Sequence, residues 1–231
     1  MSNSSAGPSR ESIGIRDEVA ALKRERTIEA AVELFYERGY ENTTLEAVSE
    51  RLGVTKPFIY SHFGSKTELL SEICSRGIAS SLQAIDAVIG MRSKPSRKLA
   101  ILGERFVTAV LESQKHIAIF SREEKNLPAE DFERISNMRR DFDAKLCALL
   151  EEGVAAGEFV IDDVPLAALA IGGMVSWAYV WYRPDGRFGL PDLATRMSDL
   201  ILSLVGAPVP RSARLPPSRS PRSVRAKVAG G

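Results

Sequence analysis

Between Thr43 and Leu70 the chain runs TTLEAVSERLGVTKPFIYSHFGSKTELL, and no other stretch restricts the fold so tightly. Thr43-Thr44-Leu45-Glu46 places a hydroxyl three residues ahead of a carboxylate, the capping-box arrangement that satisfies free amides at a helix start, and Ser65-Lys66-Thr67-Glu68 repeats it. Between these starts, Gly53 can take the left-handed conformation that ends a helix sharply, and Thr55 offers a fresh N-cap. The segment therefore predicts a short helix through Leu52, a turn at Gly53-Val54, a second short helix from Lys56 to Phe63, and a long helix from Ser65 to about Ile89. Leu45, Val48 and Leu52 line the inner side of the first helix, Ser49 is small where the two cross, and Ile59 and Phe63 face inward from the second. This is the spacing of a helix-turn-helix. Outward on the second helix remain Thr55, Lys56, Pro57, Tyr60, Ser61 and His62, a set of hydroxyls and donors without a carboxylate, suited to phosphates and base edges in a major groove.

The flanking sequence is helical as well. Ile28, Ala31, Val32 and Phe35 recur at i, i+3, i+4 and i+7, with Glu and Arg on the other face, and Gly39 stops the helix. Further helices are predicted at Ser96 to Ser113, Lys115 to Glu124, Ala129 to Ala156, Val164 to Arg183 and Pro191 to Val205, separated by Pro and Gly punctuation. No apolar/polar alternation is long enough to build a sheet, so the chain is read as all-α. Expected units are an N-terminal arm at 1–19, a helix-turn-helix domain at 20–66, a helical ligand-binding and dimerisation domain at 67–206, and a disordered basic tail at 207–231 rich in Pro, Ser and Arg.

Charge narrows the kind of partner. Of 31 basic residues six fall after Gly206 with no acid among them, leaving 25 against 30 acidic groups in the body. Such a balance excludes a protein that coats nucleic acid with its whole surface; binding must come from a local patch, from amides at helix starts, and from duplication in a dimer. The tail is read as inert rather than as an added DNA attraction. Cys74 and Cys147 make no disulfide framework or metal motif, and the first twenty residues lack the pattern of a signal peptide, which points to the cytoplasm. Val164 to Tyr182 holds nineteen residues without a charge, about 28 Å as a helix and close to a bilayer's thickness. Pro165, Gly172-Gly173 and an Ala-led composition favour a helix buried within and between subunits over a membrane span. No catalytic motif is present: Gly64-Ser65-Lys66-Thr67 is not a phosphate loop, and the two histidines, His62 and His116, fall in different units. No enzyme activity, metal or cofactor is expected.

AVELFYERGYENTTLEAVSERLGVTKPFIYSHFGSKTELL resembles the TetR family of transcriptional regulators over Glu18 to about Ser75, through RGY, TT, GVTK, YSHF and SKTEL. The resemblance implies that Thr44 meets a phosphate, Thr55 and Lys56 open the recognition helix, Tyr60 and His62 bind backbone, and Lys66 lies near phosphate, with Phe63 in the core. Pro57 stands where many relatives carry Gly, Ala or Ser, removing one amide donor. For the remainder the resemblance implies a dimer holding its recognition helices one helical turn of double-stranded operator DNA apart, about 34–36 Å, until a small-molecule inducer changes their separation. A tilt of the long helix near Cys74 to Ser81 is the expected route. SREEKNLPAEDFERISNMRR, GEF and WAYVWYRPDG resemble the C-terminal halves of TetR regulators of fatty-acid, acyl-CoA and steroid breakdown, implying an acyl-CoA or lipid-derived inducer. A multidrug-type sensor of apolar or aromatic compounds, and a ligand-binding module without DNA binding, are the alternatives. Phe120, Arg140, Trp177 and Trp181 are candidate ligand contacts, although an exposed charged face for Arg139-Arg140 and interface packing for the tryptophans read as well. Gly172, Gly173, Leu200, Ile201 and Leu204 are the candidate dimer interface.

Overall fold

The computed structural model describes residues 10–209. Helix α1 (Arg10–Arg38) is followed by α2 (Leu45–Leu52), α3 (Lys56–His62), α4 (Lys66–Ile89), α5 (Pro95–Glu112), α6 (Gln114–Glu123), a 3-10 turn (Glu124–Asn126), α7 (Ala129–Ala155), α8 (Val164–Ser176), α9 (Ala178–Trp181) and α10 (Leu190–Leu204). No strand occurs among the described residues. The backbone of α1 is already helical at Arg10, within the stretch expected as an arm, and the tail from residue 210 lies outside the described residues.

Two cores organise the molecule. Ile28, Leu34 and Phe35 of α1, Val48 of α2, Ile59 of α3 and Leu69 to Cys74 of α4 form the first, which also takes in Ile119 and Phe120 of α6 and Ile135 of α7. The second joins the far half of α4 to α5, α7, α8 and α10. Helix α4 passes from one core to the other. At Gly77 it meets α6 so closely that a methyl group would stand 3.2 Å from Ile117 Cγ1.

The helix ends follow the sequence with one shift of register. Gly39 (φ +83°) and Gly53 (φ +66°) close α1 and α2 in the left-handed conformation. Thr44 rather than Thr43 caps α2, its Oγ1 accepting from Ala47 N at 3.2 Å. Thr43 is fully buried, its hydroxyl 2.9 Å from Gly39 O, so the capping box expected there is absent: the residue three beyond Thr44 is Ala47. The second box forms in modified shape. Ser65 Oγ accepts from Glu68 N at 3.0 Å, and Glu68 Oε2 accepts from Gly64 N at 2.9 Å. At α3, Thr55 occupies the cap position without a side-chain bond.

The helix expected from Val164 to Arg183 is broken at Trp177 into α8 and the single turn α9. Gln114 Nε2 donates to Tyr179 O at 2.6 Å, and the Arg183 guanidinium donates to Val180 O at 3.3 Å and Tyr182 O at 3.1 Å, closing α9. The run Val164–Trp181 has the length and composition of a membrane span. One side of it, Ala168, Ile171 and Val175, is nevertheless packed into the second core.

Candidate nucleic-acid interface and effector cavity

Helix α3 owes its position to Ile59 and Phe63, both fully buried, and to α1 behind it. Arg24 Nη1 donates to His62 O at 3.1 Å while its guanidinium lies 4.4 Å over the Phe63 ring, and Lys23 Nζ stands 5.3 Å over Phe58. Sequence reasoning gave Lys23 and Arg24 no role; their place on the exposed side of an amphipathic helix carries no signal of what packs there. The outward residues fall on one side as expected. Tyr60 is 48% exposed, and Lys56 reaches Glu46 of α2 at 3.2 Å in a solvent-facing ion pair. Glu46 is held below the usual carboxylate range, first by its own backbone N–H and then by Lys56.

Ser61 and His62 are committed more locally than the sequence suggests. Ser61 Oγ donates to Phe58 O at 2.8 Å and lies 2.9 Å from His62 Nδ1, and the His62 ring packs on Phe58 with centroids 4.5 Å apart. Their carbonyl-directed bonds hold the end of α3, so Nε2 is the His62 atom facing away from that contact. Pro57 sits in the first turn of α3, where a missing N–H costs nothing.

A shallow groove brings Thr44, Tyr60, Gly64, Ser65 and Lys66 together at the starts of α2 and α4. Lys66 Nζ donates to Tyr40 O at 2.9 Å and lies 4.1 Å over the Tyr40 ring, so one ammonium hydrogen is engaged and the charge is held at the groove. The 24-residue α4 points its N-terminus into the same space. An ammonium, a phenol and the positive ends of two helices are the groups that attract a phosphate oxygen.

A cavity of about 350 Å³, partly open to solvent, lies against the second core. Ile78 of α4, Phe106 and Val110 of α5, Ile117 of α6 and Phe142 of α7 supply its apolar walls, and among the described residues Arg139 and Asp143 are its only charged lining residues. Burial pushes the Asp143 carboxyl up toward its neutral form, opposed by the Arg139 charge. None of the four ligand candidates from the sequence lines this space. Phe120 is buried in the first core, Arg140 is exposed and donates to Asn137 Oδ1, and Trp177 and Trp181 are on the surface. Gly172 and Gly173, expected at the dimer interface, do line it. Among the other interface candidates Leu200 is 57% and Leu204 42% exposed, whereas Ile201 is 1% exposed and packed in its own subunit's core. The cavity walls were missed because Phe106, Val110 and Phe142 have the spacing of ordinary core residues.

Residues 28–73 match the family described as bacterial regulatory proteins, tetR family, and residues 92–205 match the tetracyclin repressor-like C-terminal domain. The chain is 30% identical over 189 residues to the HTH-type transcriptional repressor KstR2 of Rhodococcus jostii RHA1, covering 80% of this chain and 92% of that one. It is 24% identical over 179 residues to the fatty acid metabolism regulator protein of Bacillus subtilis 168, covering 76% and 92%. The crystal structure of the TetR family regulator PfmR from Thermus thermophilus superposes with a TM-score of 0.71 at 31% identity, covering 77% of this chain and 97% of the other.

Proposed function

The chain belongs to the tetR family of bacterial regulatory proteins, and from that premise we propose that it is a dimeric repressor whose hold on a palindromic operator is loosened by an acyl-CoA or related lipid-derived inducer. The observation that carries the DNA half is the donor groove: Thr44, Tyr60 and Lys66 converge beside the exposed edge of α3, which no carboxylate of α3 itself obstructs. Lys56, Pro57 and Tyr60 face the base edges and neighbouring backbone, Thr55 and Ser61 flank them, and His62 reaches backbone at the end of α3. Such a repressor acts where the chromosome is, in the cytoplasm.

The inducer half rests on the cavity and on the names of two relatives. Its apolar walls and single cation suit an amphiphile, and its volume lies at the small end of ligand cavities, so a CoA moiety stays outside while the acyl portion enters. A relative named as a fatty acid metabolism regulator, and the KstR2 structure described as that of a ketosteroid transcriptional regulator, support this class over a multidrug-type sensor. Weakening operator binding a hundredfold requires about 2.7 kcal/mol of differential affinity between the two conformations.

The test starts from genomic fragments captured by the purified protein. Lys56→Ala and Tyr60→Ala are each expected to weaken binding to the best fragment about tenfold, and each lost phosphate contact lowers the salt slope by about one. Lys56→Ala has a second effect, since it leaves the Glu46 carboxylate facing the DNA without its partner. Unchanged affinity in both variants rejects the interface. Release by apolar drugs but by no acyl-CoA rejects the inducer class.

A further inference from the structure

Arg139 occupies a position that joins the two cores. Its guanidinium lines the cavity of the second core and at the same time lies 4.4 Å from the centroid of the Phe120 ring. Phe120 belongs to the first core, with Phe35 of α1 and Ile73 of α4, and is 6% exposed. Among the described residues Arg139 makes no hydrogen bond or ion pair; it lies over the face of that ring and acts on the Asp143 carboxyl through its charge alone. Asp143, one turn further along α7, makes no ion pair with it.

We propose that Arg139 takes the anionic end of the cavity's ligand and that Phe120 transmits the resulting displacement to the core of the DNA-binding head. This rests on the reading of the cavity as the inducer site and extends it to a ligand chemistry: an apolar chain inside, a carboxylate or phosphate at the rim. A charge-assisted hydrogen bond to such an anion is stronger than the attraction of an exposed guanidinium to a ring face, so a bound anion wins the competition and draws Arg139 off Phe120. Helix α6, which carries Phe120, is tied to α1 on both sides of that residue. Lys115 pairs with Glu33, and Arg122 lies 5.3 Å over the Tyr36 ring. A change in how Phe120 packs therefore acts on the helix against which α3 rests. By linkage, the operator must weaken the ligand by the same factor that the ligand weakens the operator.

The experiment measures operator binding and ligand binding separately for the full-length protein, with decanoyl-CoA, decanoic acid and the neutral decan-1-ol as probes. Operator affinity without probe is the reference for each variant. For Arg139→Gln, half-release by the anionic probes should need about tenfold more probe than for the unaltered chain, with the decanol response unchanged. For Phe120→Leu, decanoyl-CoA should still bind within about threefold, but the ratio of operator affinities with and without probe should fall by about tenfold, since coupling is what the ring supplies. Activity of decanoic acid equal to that of its CoA ester identifies the carboxylate as the group held; activity of the ester alone identifies a phosphate. Equal release of the unaltered chain and Arg139→Gln by the anionic probes overturns the anchor, and undiminished coupling in Phe120→Leu overturns the route. If the unaltered chain binds none of the three probes, the inducer reading itself fails and this inference falls with it.

Discussion

Gly153 shows how much one residue can depend on a neighbour that its own helix does not reveal. In the middle of α7's last turns it carries the Phe159 ring against its backbone, and a methyl group there would stand 1.9 Å from Phe159 Cδ2. Gly153→Ala is therefore expected to destabilise the fold by about 1–3 kcal/mol through overpacking, whereas helix propensity alone predicts a gain. Urea unfolding distinguishes the two. Thr43 teaches the same lesson at a helix start. Its hydroxyl and the carboxylate three residues on satisfy the capping pattern, but the end of α1 draws Thr43 inward to Gly39 O and leaves Thr44 as the cap. Ile59 and Phe63, by contrast, were legible as core because they stand four residues apart, one turn, on α3 and at its end, which leaves one inward side.

At the scale of elements, α1 and α4 are clamped by charge. Arg76 donates to both Glu25 oxygens at 2.6 and 2.8 Å and to Glu72 at 3.3 Å, while Arg24 pairs with Glu72 at 3.2 Å. The clamp sits one residue from Gly77, where α4 touches α6. Hydrogen bonding to Arg76 holds Glu25 below its ordinary pKa of 4.5, against a smaller opposing effect of burial. A carboxyl lowered on folding stabilises the native state above its unfolded pKa and loses that contribution as pH falls through the folded value. Arg76→Met is expected to cost about 1 kcal/mol or less at neutral pH, because the groups are partly exposed. The difference from the unaltered chain should close below pH 4.5, which thermal melts across that range will show. These contacts were illegible beforehand. A helix pattern assigns Glu25 and Arg76 to a polar face without saying that the two polar faces meet.

At the scale of the whole molecule, large apolar side chains of α8 and α10 stand open among the described residues. Leu166 and Leu169 of α8 are 62% and 64% exposed, Trp177 follows on the same helix end, and Leu200 and Leu204 of α10 are open as well. A second copy covering these residues completes the proposed dimer and lies beside the cavity wall at Gly172 and Gly173. Leu166→Glu combined with Leu200→Glu should reduce a particle of twice the 25.3 kDa chain mass to single chains in sedimentation, and should weaken operator binding by at least about tenfold through loss of the second head. Unchanged mass in that variant rejects this face as the contact. Caps, glycine stops and a 3.6-residue period act between residues close in the chain, so the helical class, the helix-turn-helix and the outward set on α3 could be read from the order of amino acids alone. Packing between distant helices settled the rest. Ile201 turns inward beside an exposed Leu200, where Gly103 of α5 lets Ser198 of α10 come close against its backbone. The cavity and the seat of Arg139 on Phe120 likewise arise from contacts between helices far apart in the chain, whose residues, taken one at a time, look like ordinary core and ordinary surface.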